Sequence, residues 1–110
     1  MVVVPLLGGC NNEAPQNVDR PPAPPLEQQL RRGEDLFKQY CAPCHPDGGN
    51  VSDPERTLRG SALRSHHITK TRDIVHIMRN PISRMISFDA ATLSDKDATA
   101  IADYVLYTFK

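Results

Sequence analysis

The chain has no tryptophan and only three phenylalanines and three tyrosines in 110 residues, so the aromatic mass that often fills a small core is scarce. A domain of this size with so few large side chains builds a thin hydrophobic core unless something else occupies its middle. Net charge is absent too, with 13 Lys and Arg against 13 Asp and Glu, which argues against a general nucleic-acid binder. Nor is there a long apolar run. The stretch Met1 to Gly9 falls well short of the roughly twenty residues that cross a bilayer as a helix, so no transmembrane helix is expected. No segment alternates apolar and polar residues in the manner of a strand.

Cysteine is sparse and odd in number: Cys10 stands far upstream of Cys41 and Cys44, so one thiol and one pair need separate explanations. Met1-Val2-Val3-Val4-Pro5-Leu6-Leu7-Gly8-Gly9 is apolar, then small, and stops at Cys10 before the polar Asn11-Asn12-Glu13. Residues 1–10 read as the remnant of a signal peptide, short and without a preceding Lys or Arg. Leu7-Gly8-Gly9-Cys10 resembles a bacterial lipobox, which makes Cys10 the candidate lipidation site; the alternative is a frayed apolar tail with a free thiol. Residues 11–25 carry Pro21-Pro22-Ala23-Pro24-Pro25 and no apolar periodicity, so they read as an extended linker. That leaves residues 26–110 as the one folded domain.

Within it, Cys41-Ala42-Pro43-Cys44-His45 has the form of a c-type haem attachment site, in which two thiols add across the haem vinyl groups and the adjacent imidazole reaches the iron. Cys at i and i+3 with His at i+4 share one face at the end of a helix, which suits all three tasks. A thioredoxin-like dithiol would need a strand before it. A zinc site would need a fourth ligand in a paired motif, which His66-His67 does not supply. The reading is one covalent haem c, with His45 as an axial ligand.

The sixth ligand must come from downstream, where Met78, Met85, His66, His67 and His76 are available. Ile74, Ile77 and Met78 fall at helical spacing between Thr71 as N-cap and Pro81 as stop, which assigns Met78 to the core of a helix over 72–79. Met85 lies in a non-periodic stretch that can lay a thioether over the haem, and it is the expected ligand.

Glu27 to Tyr40 reads as a first helix that delivers Cys41, and Ser94 caps a last one whose Ala98, Ile101, Ala102, Val105 and Phe109 form an apolar stripe. Gly33 costs roughly 1 kcal/mol in a helix relative to Ala, so another helix is expected to cross there, with Ile101 and Tyr104 filling the crossing. A short helix near Asp53 to Leu63 completes an all-α fold. The haem then becomes the missing core, with Leu36, Leu58, Leu63, Ile74, Met78, Ile82 and Phe88 against it.

Gly33-x-x-x-Phe37-x-x-x-Cys41, Cys44-His45, the Met85 loop and Ile101-x-x-Tyr104 resemble the class I cytochromes c over residues 27–110. His45-Pro46-Asp47-Gly48-Gly49-Asn50, Pro54-Glu55-Arg56-Thr57-Leu58 and Met78-Arg79-Asn80-Pro81 are similar to the small algal cytochromes that replace plastocyanin, and more so to monohaem outer-membrane lipoprotein cytochromes of metal-reducing bacteria. The resemblance implies four or so helices around one haem, His45 and Met85 as axial ligands, and a monomeric single-electron carrier rather than an enzyme. It also implies an exported, periplasm-facing location at the outer membrane, other cytochromes as partners, and support for electron export to extracellular acceptors. One departure concerns the loop: the family has Pro directly after the Met ligand, whereas Ile86 follows Met85 and only Phe88 is kept.

From Arg56 to Arg84 the chain carries seven Lys or Arg against one acid, Asp73, and this run serves either haem propionates, an acidic docking partner, or only solvent. Arg56 and Arg59 are the propionate candidates. Two rival functions are a gas or redox sensor in which Met85 dissociates, and a tethered haem subunit of a larger oxidoreductase.

Overall fold

The computed structural model describes residues 25–82 and 84–110. Cys10, the signal-peptide remnant and the linker up to residue 24 lie outside the described residues. Four α-helices follow in order, α1 (Pro25–Tyr40), α2 (Gly60–Ser65), α3 (Thr71–Arg79) and α4 (Asp95–Thr108), and among the described residues there is no strand.

Helix α1 starts two residues before the expected Glu27. Pro25 causes this: at a first helical position its missing N–H is no loss and its fixed φ already suits the helix. Glu27 in the first turn and Lys38 in the last lie where the helix dipole favours each charge. Helix α4 opens as expected on Ser94, whose hydroxyl accepts from the Asp97 N–H at 3.1 Å.

The two long helices cross at Gly33. A Cβ there would fall on the Ala100 carbonyl oxygen and come within 2.8 Å of the Tyr104 Cβ, so only glycine permits the approach. Tyr104 fills the crossing as expected but Ile101 does not. Ala100 takes that place, because a backbone lying against a glycine tolerates only a small side chain at the contact. Ile101 is instead fully buried facing the interior. Phe37 meets Tyr104 and Phe109 with ring centroids 5.4 and 5.5 Å apart, which locks α1 to the end of α4.

Helix α3 is tied to both. The Asp103 carboxylate on α4 accepts from Gln29 Nε2 and from Thr71 Oγ1, each at 2.6 Å, joining α1, α3 and α4 at one residue. Thr71 is therefore not the N-cap. Lys70 holds that position, and the Asp73 carboxylate caps the turn by accepting from the Thr69 and Lys70 N–H groups at 3.1 and 3.0 Å.

The expected helix near Asp53 to Leu63 is found later, at Gly60–Ser65. Upstream of it the chain is irregular because side chains claim the backbone groups a helix would use. Asn50 Oδ1 accepts from the Ser52 and Asp53 N–H groups, and Asn50 Nδ2 donates to the Arg56 carbonyl.

Candidate functional site

Helix α1 ends at Tyr40, and the chain turns tightly through the motif. Cys44 and His45 donate their N–H groups to the Cys41 carbonyl at 3.1 and 2.8 Å, which folds both cysteines and the histidine toward one cleft. Cys41 is buried and Cys44 exposed. Burial, and then the neighbouring Cys44, pushes the Cys41 thiol up to about 11, so it stays protonated at neutral pH.

A short 3₁₀ turn, Pro46–Gly48, follows. Asp47 and Gly48 both adopt positive φ, at 54° and 81°, and this reversal brings the Gly49 carbonyl 2.7 Å from His45 Nδ1. A carbonyl can only accept, so Nδ1 carries the proton and Nε2 is left with a lone pair for a metal. The backbone acceptor that orients the ring is thus Gly49. Gly48 has a second constraint besides its φ, since a Cβ there would meet the Phe109 ring at 2.6 Å. The end of α4 therefore supports the turn that orients His45.

The cleft measures about 200 Å³ and brings Cys41, Cys44 and His45 together with Met85. Its apolar lining includes Leu58, Leu63, Ile74, Met78 and Phe88 from the expected set, together with Ile68, Ile77 and Ile101. One member of that set departs from expectation: Leu36 is buried in the hydrophobic core but does not line the cleft, whereas Ile82 lines it as expected.

Among the candidate iron ligands, Met85, Met78 and His66 border the cleft, whereas the exposed His67 and His76 do not. His66 has Nδ1 2.9 Å from the Ala62 carbonyl in its own helix cap. Met78 is 3% exposed and packed within the core. Met85 is half-buried on irregular chain, and no hydrogen bond among the described residues holds it.

Of the two propionate candidates the structure brings only Arg56 to the cleft, where its Nε lies 3.5 Å from Asp53. Arg59 is exposed and turned away, donating to the Asp47 carbonyl at 3.3 Å. Arg84, part of the basic run but not singled out as a propionate candidate, also lines the cleft. Its place beside Met85 was the available signal.

Helices crossing at a glycine, with two thiols and an oriented imidazole on one apolar cleft, define a c-type cytochrome domain. Comparison with known proteins gives the same class. A family model described as cytochrome c oxidase, cbb3-type, subunit III matches residues 28–105. Cytochrome c6 of Cyanidium caldarium is 40% identical over 77 residues, covering 70% of this chain and 69% of that protein. The solved structure of OmcF, outer membrane cytochrome F of Geobacter sulfurreducens, aligns with a TM-score of 0.69 at 38% identity, covering 71% of this chain and 99% of that one. Cytochrome c6 of the diatom Phaeodactylum tricornutum aligns with a TM-score of 0.66 at 32% identity, covering 71% of this chain and 91% of its own. The chain belongs to the class I monohaem cytochromes c, in the cytochrome c6-like group.

It is accordingly a monohaem electron carrier and not an enzyme, and its cofactor is one covalent haem c. The cleft suits that group in its own chemistry: two thiols for the vinyl groups, an imidazole with Nε2 available, a thioether, and apolar walls for a macrocycle.

Proposed function

We propose that Cys41 and Cys44 carry the haem as thioethers, that His45 and Met85 are its axial ligands, and that the protein is a single-electron carrier of the cell envelope. The observation that carries the reading is the bond of 2.7 Å between His45 Nδ1 and the Gly49 carbonyl, at the cleft that Met85 also lines. Haem supplies reversible one-electron exchange at its iron. The chain supplies the rest: the Gly49 carbonyl fixes the imidazole plane, and the apolar walls keep water from the cofactor, which together with thioether ligation favours the reduced state. Arg56 is the proposed propionate partner, and Arg59 is set aside on its position.

Cys10 is the proposed lipid anchor, with residues 11–24 as the tether and the outer membrane as the address; similarity to OmcF, an outer membrane cytochrome, supports this. Among the described residues no helix is long and apolar enough to cross a membrane. Electron export to extracellular acceptors, through other redox proteins, is the role proposed for such a carrier.

Two measurements test this. The oxidised protein is expected to show the weak red Met-to-iron band and the reduced protein to ignore carbon monoxide; rapid carbon monoxide binding would overturn the carrier in favour of a sensor. Mass spectrometry of protein isolated from membranes is expected to give one haem and an acylated Cys10. An unmodified N-terminal segment would remove the anchor while leaving the haem assignment intact.

A further inference from the structure

Among the described residues, the hydrogen bonds that hold the segment carrying Met85 lie at its base. Between Pro81 and Ile86 no hydrogen bond is found among the described residues, and Ile86 is 68% exposed. At the base, the Phe88 N–H donates to the Met78 carbonyl at 2.8 Å and the Ser87 hydroxyl to the Arg79 carbonyl at 3.0 Å. These bonds satisfy carbonyls at the C-terminus of α3 that have no partner within the helix. The Arg79 side chain completes the closure. Its Nη1 donates to the Phe88 carbonyl at 3.0 Å, and its Nη2 pairs with Asp95 in the first turn of α4 at 2.9 Å. Only 18% of the Arg79 side chain is exposed, against 92% for Asp95, so the guanidinium lies inside the closure and the carboxylate outside it.

We propose that Arg79 is the positioning residue for the sixth iron ligand: its guanidinium clamps Phe88 to α4 and so holds the Met85 thioether in the cleft. The proposal rests on Met85 being that ligand. A planar guanidinium can donate to a carbonyl and a carboxylate at once, which the single nitrogen of lysine does less well. Removing it leaves the bonds from the Ser87 hydroxyl and the Phe88 N–H in place. The helices are therefore expected to persist while the loop opens more often.

The test uses haem-loaded, full-length protein with Met85→Ala, Arg79→Met and Arg79→Lys. Free imidazole is titrated into the oxidised form, where it binds only when the sixth position is open, so its apparent affinity scales with the open fraction. Losing one charge-assisted bond corresponds to roughly tenfold in such an equilibrium. Arg79→Met is expected to bind imidazole about tenfold more tightly and to weaken the red Met-to-iron band, with unchanged helix content and one haem by mass. Arg79→Lys is expected to fall between Arg79→Met and wild type. If Arg79→Met does not fold, Arg79→Lys alone decides, and wild-type imidazole affinity in it overturns the proposal. Loss of the red band in Met85→Ala, together with wild-type affinity in both Arg79 variants, rejects the clamp and keeps the ligand. A red band that survives Met85→Ala rejects the ligand and the clamp together.

Discussion

Gly33 shows how one residue can set the spacing of a fold. A methyl group there gains roughly 1 kcal/mol of helix propensity but collides with the Ala100 carbonyl, which has no side-chain freedom to move away. The collision should win. Gly33→Ala is expected to lose about 1–3 kcal/mol by overpacking, read from chemical unfolding of the haem-loaded protein, and a neutral or stabilised variant would refute the close crossing. This glycine was legible in the sequence because a costly residue inside a helix needs a reason. Its partner was not: Ile101 and Ala100 are adjacent on α4, and about 100° of helix rotation separates packing on a glycine from facing the cleft.

At the scale of elements, the long helices and the motif turn were readable because periodicity and the Cys-x-x-Cys-His spacing act locally. The short ones were less so. Between Asn50 and Arg56 the helix lost to side-chain bonds, a competition in which Asn and Asp mark candidates but not winners. Asp73 capping α3 from its third position, where Thr71 looked the better cap, is the same ambiguity, resolved because Thr71 was drawn to Asp103. Bonds from the Thr69 and then the Lys70 backbone hold the Asp73 carboxyl below its usual value. The folded state then binds fewer protons than the unfolded one just below the ordinary carboxylate range. Stability from this cap is present above that range and lost as pH falls through the lowered folded value. Asp89 is shifted the same way, first by the Thr92 backbone. Urea midpoints of Asp73→Asn are expected to fall less steeply with acid than those of wild type, and parallel acid limbs would count against the cap.

For the whole molecule, the scarcity of aromatic residues and the apolar cleft are two views of one fact. Among the described residues only Leu93 and Ile101 are large side chains wholly withdrawn from solvent, while Leu63, Ile74, Met78 and Phe88 are arranged around the site. The cofactor is a structural part of such a core, and a chain unable to attach it should be unable to fold well. Cys41→Ala/Cys44→Ala protein made without haem is expected to show little helix by circular dichroism and no cooperative melt; a sharp melt close to that of the loaded protein would show that the polypeptide suffices alone.

The Phe109 ring against Gly48 has a consequence in time as well as in space. Chain synthesis delivers Cys41 to His45 roughly sixty residues before the ring that supports the turn beneath them. Until the far end of the domain has been made, the turn at the attachment motif lacks the ring that supports it.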